Sequence, residues 1–258
     1  VKINPDWWKT LFDETYLITD ARSVCDDELT CREADMVESR LELQKPWPIL
    51  DLCGGHGRHA MELSSRGFED VTVVDYSGFL IDRGRETARS MGLQTKFIRK
   101  DARETGLTSG AFRAAIVMAN SFGYFVNADD DTRFLLEAHR LLAPGGKLLL
   151  DLTCKDFITE NFKPMAWHEA DEEIVICRER QMEQDMVYSR EMVLSKTEGL
   201  IRDETYCVRL YSPERITELL TELGFSSITI QNNYASHRET GDYGYLNNRT
   251  IVVATKPG

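Results

Sequence analysis

The sequence predicts an α/β fold built on a largely parallel sheet, and three observations carry that reading. From about residue 46 short apolar runs alternate with amphipathic stretches, the rhythm of parallel strands joined by helical crossovers. The first run, Ile49-Leu-Asp-Leu-Cys53, opens into Gly54, Gly55 and Gly57 ahead of a helical stretch, as a tight strand-to-helix turn requires. After Asp151 the pattern changes to strand-like alternation, which marks an inserted antiparallel unit.

Taken in order, residues 5 to 45 read as helical. Trp7, Trp8, Leu11, Phe12 and Tyr16 recur at helical spacing, and Thr30-Cys-Arg-Glu33 has the form of a capping box opening a second helix. Pro46 and Pro48 stop it. Strands are expected near 48–53, 71–75, 95–99, 113–119 and 146–152, with helices near 57–66, 78–91 and 130–142 between them. The insertion, at about 165–210, shows three alternating stretches (173–182, 186–196 and 200–210) with a turn at Thr197-Glu-Gly199. Ser212 and Pro213 then open a helix as N-cap and first position, Gly224 closes it, and strands near 226–232 and 249–255 finish the chain.

Composition bounds the function. The chain has 258 residues, 42% hydrophobic and 29% charged, enough for one substantial core. A net charge of −12 with dispersed acids opposes a phosphate backbone, so no nucleic-acid partner is expected. No apolar run reaches membrane-spanning length and no signal-peptide layout opens the chain, which predicts a cytoplasmic protein with no membrane partner. The six cysteines have no metal-ligand spacing, so reduced thiols and no metal are expected.

The chemistry concentrates at strand ends. Gly55-His-Gly57-Arg-His-Ala60 also fits a degenerate dinucleotide fingerprint, and by itself does not separate cofactors. Asp75 ends the second strand, where a carboxylate can accept both ribose hydroxyls. Asp101, Ala102 and Arg103 follow the third strand, where Asp101 suits either an adenine amino group or a helix N-cap. Asn120-Ser-Phe-Gly-Tyr124 follows the fourth.

With these residues the sequence resembles the class I S-adenosylmethionine (SAM)-dependent methyltransferases. The resemblance rests on Leu50-Asp-Leu-Cys-Gly-Gly-His-Gly57, Asp75, Asp101-Ala102 and Leu141-Leu-Ala-Pro-Gly-Gly-Lys-Leu-Leu-Leu-Asp151, and covers about residues 46 to 256. It implies a Rossmann-like seven-stranded sheet over 46–258, a helical N-terminal lid over 1–45, and SAM as cofactor with S-adenosylhomocysteine (SAH) as product. Arg209-Leu-Tyr-Ser-Pro and the insertion are similar to small-molecule enzymes such as amino-sugar N-methyltransferases. Carried over, the resemblance gives Gly54, Gly55 and Gly57 to the methionine part of SAM, with Asn120 near that end, Asp75 to the ribose, and Asp101 and Ala102 to the adenine, with Cys53, Tyr76 and Arg103 also in the cofactor site. Tyr16 and Arg22 would lie over the cofactor, Arg22 pairing with its carboxylate.

Methyl transfer needs alignment and sometimes a base, so the catalytic residue stays open, with Tyr124, His56 and His237 as candidates beside His59 and His168. Tyr16, Tyr124, Arg209 and Tyr211 are candidate substrate contacts, although a surface ion pair accounts equally well for Arg209. Trp7 and Trp8 read as packing. The expected activity is N- or O-methylation of a small molecule, with a homodimer left open. An NAD(P)-dependent oxidoreductase and a non-catalytic SAM-binding module are the rival readings.

Overall fold

The structure, a computed structural model, describes residues 1–235, 237 and 244–258 of the chain, with the side chain of Arg22 left out. A single 3₁₀ turn at Trp7–Lys9 is followed by α1 (Glu14–Thr19), α2 (Ala21–Val24) and α3 (Asp27–Leu41). The alternating part runs β1 (Ile49–Leu52), α4 (Arg58–Ser65), β2 (Val71–Asp75), α5 (Gly78–Ser90), β3 (Lys96–Arg99), β4 (Phe112–Val117), α6 (Ala128–Leu141) and β5 (Leu142–Thr153). Next come α7 (Lys155–Glu160) and the strands β6 (Met165–Glu169), β7 (Ile174–Glu183), β8 (Met186–Ser195) and β9 (Gly199–Arg209). The chain closes with α8 (Pro213–Glu222), β10 (Ser226–Tyr234) and β11 (Arg249–Thr255).

Seven strands form one sheet in the order β10-β11-β5-β4-β1-β2-β3. The first five strands of the chain pair in parallel, and β11 is antiparallel to both β5 and β10. Strand order therefore reverses between β1 and β4, which opens a crevice at their carboxyl ends. Both faces are covered because successive strand residues point to opposite sides. Leu50, Ala115, Val117, Leu148 and Leu150 pack under Phe134 and Leu135 of α6 and Leu220 of α8. Ile49, Val71, Val73, Ala114 and Ile116 pack under Val37 of α3, Leu63 of α4 and Ile81 of α5.

The N-terminal 45 residues divide in two. Helix α3 belongs to the layer covering the sheet, through Ala34, Val37 and Leu41. Residues 7–24 instead pack on the second sheet, where Trp7, Trp8 and Leu11 share a cluster with Met186 and Cys207. The capping box expected at Thr30 does not start α3. Asp26 caps it four residues earlier, accepting from the Leu29 N–H at 2.8 Å, and the Thr30 hydroxyl donates to the Asp26 carbonyl. Glu33 is thereby freed for other partners.

The antiparallel unit has four strands in the order β6-β7-β8-β9, where the sequence pattern indicated three. Strand β6 is short, with no buried position, so periodicity gave it no apolar face to read. Helix α8 matches its sequence signals, since the Ser212 hydroxyl accepts from the Arg215 N–H at 3.2 Å with Pro213 following. Among the described residues no helix is long and apolar enough to cross a membrane.

Candidate functional site

At the tip of β1 the chain turns sharply. Cys53, Gly55 and Gly57 all adopt positive φ (60°, 58° and 78°), which glycine tolerates and cysteine does only under constraint. A Cβ on Gly54 would lie 2.5 Å from Cγ of Asp51, so that position has no room for a side chain. Beneath the turn the Asp51 carboxylate is fully buried with no side-chain partner. Burial, against the pull of Arg58, pushes its pKa up to about 7. Gly57 caps α4.

Asp75 closes this turn from the side. Its Oδ2 accepts from the Gly55 N–H and its Oδ1 from the Ser77 N–H, both at 2.8 Å. Burial raises its pKa and these N–H groups oppose the rise. After β4, Ala119 and Asn120 adopt positive φ (53° and 58°). Two contacts hold them there: the Ala119 N–H donates to Asp151 Oδ2, and Asn120 Oδ1 accepts from the Thr153 N–H.

These tips enclose a cavity lined by Cys53, Gly54, Gly55, Asp75, Tyr76, Asp101 and Ala102, with His56, Trp8, Tyr16 and Tyr124 completing its wall. A second cavity adjoins it, floored by the antiparallel sheet: Arg178, Arg180, Glu191, Arg202 and Tyr206 line it, with Asp20 and Asn120. Phe12, Tyr16, Val24, Ala119 and Tyr124 line both. The dividing wall is aromatic, with Phe12 stacked on Tyr124 at 5.8 Å and edge-on to Tyr16 at 5.1 Å.

Of the residues singled out in the sequence, most meet at these cavities, while Gly57, Arg103, His168, Arg209, Tyr211 and His237 line neither. Gly57 sits behind the first cavity, where a Cβ would strike the Phe97 ring. Arg103 is tied to Asp101 and Asp130 and lies over the Trp8 and Phe125 rings, so it holds Asp101 from outside the wall. Arg209 and Tyr211, expected to contact substrate, line neither cavity. Both donate to Asp131 Oδ2, at 3.0 Å and 2.8 Å, and Arg209 also donates to the carbonyls of Phe125 and Val126. They fasten the end of β9 to α6. The side chain of Arg22 lies outside the described residues.

Among the candidate bases, His56 lines the first cavity and burial beside Arg58 lowers its pKa to about 4. His59 is bonded through Nε2 to Glu33 Oε2 at 2.8 Å and is likewise lowered to about 4, by burial first. His237 lines neither cavity. Burial raises Tyr16 and Tyr124, so both phenols stay protonated at neutral pH. Among the described residues no group of three or more His, Cys, Asp or Glu could hold a metal ion.

Sequence reasoning missed the second cavity's charged floor. Arg178 and Glu191 face each other across β7 and β8 and pair at 2.7 Å, and Arg202 holds the other Glu191 oxygen at 2.6 Å. It also missed a buried network behind the first cavity. Glu33 Oε2 contacts Arg58 at 2.6 Å while Oε1 meets Arg249, which reaches Asp151 at 2.6 Å.

Residues 49–146 match a family model described as a methyltransferase domain. The Bacillus subtilis protein YqeM, which bears a methyltransferase name, is 27% identical over 199 residues, 76% of each chain. Other curated methyltransferases match over a shorter stretch, and the chain spans about half of their length (49% and 48%). Among solved structures, an S-adenosylmethionine-dependent methyltransferase from Clostridium acetobutylicum superposes with a TM-score of 0.75 at 18% identity, covering 95% of this chain and 97% of that one. CalS10, a SAM-bound amino pentose methyltransferase from Micromonospora echinaspora, gives 0.64 at 16% identity over 87% and 90%.

Proposed function

We propose that the chain is a class I SAM-dependent methyltransferase that transfers a methyl group to a nitrogen or oxygen of a small molecule and releases SAH. The single observation that carries this reading is the pair of adjoining cavities with one aromatic wall in common. The first cavity suits SAM on physical grounds. Gly54 and Gly55 present bare backbone to the cavity, Gly55 at positive φ, and the Asp75 carboxylate lies in the wall.

Bound SAM supplies an electrophilic methyl on a sulfonium, whose departing thioether needs no proton. The chain's task is then alignment. Gly54 and Gly55 hold the methionine end, Asp75 and Tyr76 the ribose side, and Asp101 and Ala102 the adenine. Tyr16 and Tyr124, protonated at the common wall, orient the acceptor by donating hydrogen bonds. His56 in the wall of the first cavity is neutral at pH 7, but with its pKa lowered to about 4 by burial beside Arg58 it is a weak base, and alignment carries the reaction.

The lid of residues 7–24 covers the second cavity and the sheet β6–β9 floors it, an enclosure that suits a small acceptor, as with the amino pentose of CalS10. The deciding experiment titrates the protein with SAM, SAH and NAD(H), then searches small-molecule pools for mass gains of one methyl. Micromolar SAM and SAH binding with turnover supports the proposal. NAD(H) binding without SAM binding sinks it, and SAM binding without turnover on any pool favours a non-catalytic module.

A further inference from the structure

The second cavity is walled by three guanidiniums and two carboxylates. The carboxylates are already committed. Both oxygens of Glu191, 1% exposed, are taken by Arg178 and Arg202, and Asp20 Oδ2 accepts from Arg178 and the Thr19 hydroxyl. Arg202 has a further partner in Asp13 outside the cavity wall, at 3.0 Å. Arg180 stands two residues from Arg178 on the same face of β7, and among the described residues it has no carboxylate within ion-pair distance. Its guanidinium lies over the Tyr245 ring at 5.8 Å, and that ring lines the same cavity. The buried Nε of Arg202 also has no acceptor in the protein. A half-buried cation with no carboxylate partner among the described residues, in a cavity whose wall also holds a buried, unused donor, suits an anion.

Building on the methyltransferase reading, we infer that the acceptor carries an oxyanion, a carboxylate or a phosphate, which Arg180 holds on the floor of the second cavity. The reacting atom then meets the methyl group at the wall of Phe12, Tyr16 and Tyr124. Arg180 lines only the second cavity, so it recognises the acceptor and leaves the cofactor untouched. Arg178 and Arg202 stiffen the floor through Glu191 and keep the site rigid before the acceptor arrives.

The test titrates SAH-saturated protein calorimetrically with phenyl phosphate, benzoate and the neutral benzamide, using wild type, Arg180→Gln and Arg180→Lys. One of the two anions is expected to bind at least about tenfold more tightly than benzamide, and which one does so distinguishes phosphate from carboxylate. Arg180→Gln should erase that preference, Arg180→Lys should keep part of it, and SAH affinity should be the same in all three proteins. Equal binding of all three probes to wild type, or a preference that survives Arg180→Gln, overturns the inference. Failure of SAH to bind would count against the methyltransferase reading instead, and the same probes titrated into SAH-free protein would still judge the anion site by the same criteria.

Discussion

Asp75 Oδ2 accepts the Gly55 N–H at 2.8 Å, joining the tips of β1 and β2 across residues 20 apart in sequence. One carboxylate thus fixes the glycine turn and stands in the wall of the first cavity. Asp75→Ala should weaken SAM binding about 10- to 100-fold, as expected for losing hydrogen bonds to a charged group. Calorimetric titration of the variant checks this, and unchanged affinity would remove Asp75 from the site.

Gly57→Ala should cost about 1 to 3 kcal/mol of stability, since φ is +78° and the new Cβ would lie 2.6 Å from the Phe97 ring. Urea unfolding measures it. A stability within error of wild type would mean that the turn relaxes freely.

Glu33→Gln should destabilise by about 3 to 5 kcal/mol, because Arg58 and Arg249 would remain buried without their common counter-charge. Burial opposes ionisation of Glu33, but Arg249 and Arg58 outweigh it and hold its pKa well below the usual range. The stabilisation it provides is therefore present above the unfolded-state pKa and fades as acid protonates it. The midpoint difference between variant and wild type in urea should shrink as the pH falls below about 4.

Asp51→Asn should have the opposite pH signature. The folded pKa of Asp51 is raised to about 7, so the native state keeps a proton that the unfolded chain releases near pH 4. Wild type then loses stability as the pH climbs from about 4 to 7, relative to a variant with nothing to ionise. The variant-minus-wild-type unfolding free energy should rise by about 2 to 4 kcal/mol across that interval and flatten above it. A pH-independent difference would show that Asp51 is ionised in the native protein.

The sheet and the first cavity were legible because their signals are local. Leu50 to Gly57 carries strand, turn and helix start in eight consecutive residues, and Asp75 ends its own strand. The second cavity was not legible, because its residues meet only through register. Arg178 and Glu191 become neighbours by counting back from the Glu183–Met186 pair at the hairpin's end, and Arg202 arrives from a third strand. Arg209 and Tyr211 misled for a related reason. An arginine and a tyrosine after a strand suit a substrate contact as well as an anchor, and only the buried Asp131, some eighty residues earlier in the chain, decides for the anchor. Glu33 was read as half of a capping box because Thr30 preceded it, while Asp26 held the stronger capping position.

The lid of residues 7–24 rests on the β6–β9 sheet and also touches the tips of the seven-stranded one, where the Ser77 hydroxyl donates to the Phe12 carbonyl and Trp8 packs on Tyr76. Arg202 bonds the Leu11 carbonyl and Arg178 bonds the Thr19 carbonyl, so the two stretches are stitched together from opposite thirds of the chain. They would therefore be inherited and exchanged as one piece. Swapping the β6–β9 unit alone for a relative's would leave the lid seated on a stranger, whereas swapping both together would alter the acceptor cavity and, of the cofactor cavity, only the wall that the lid supplies.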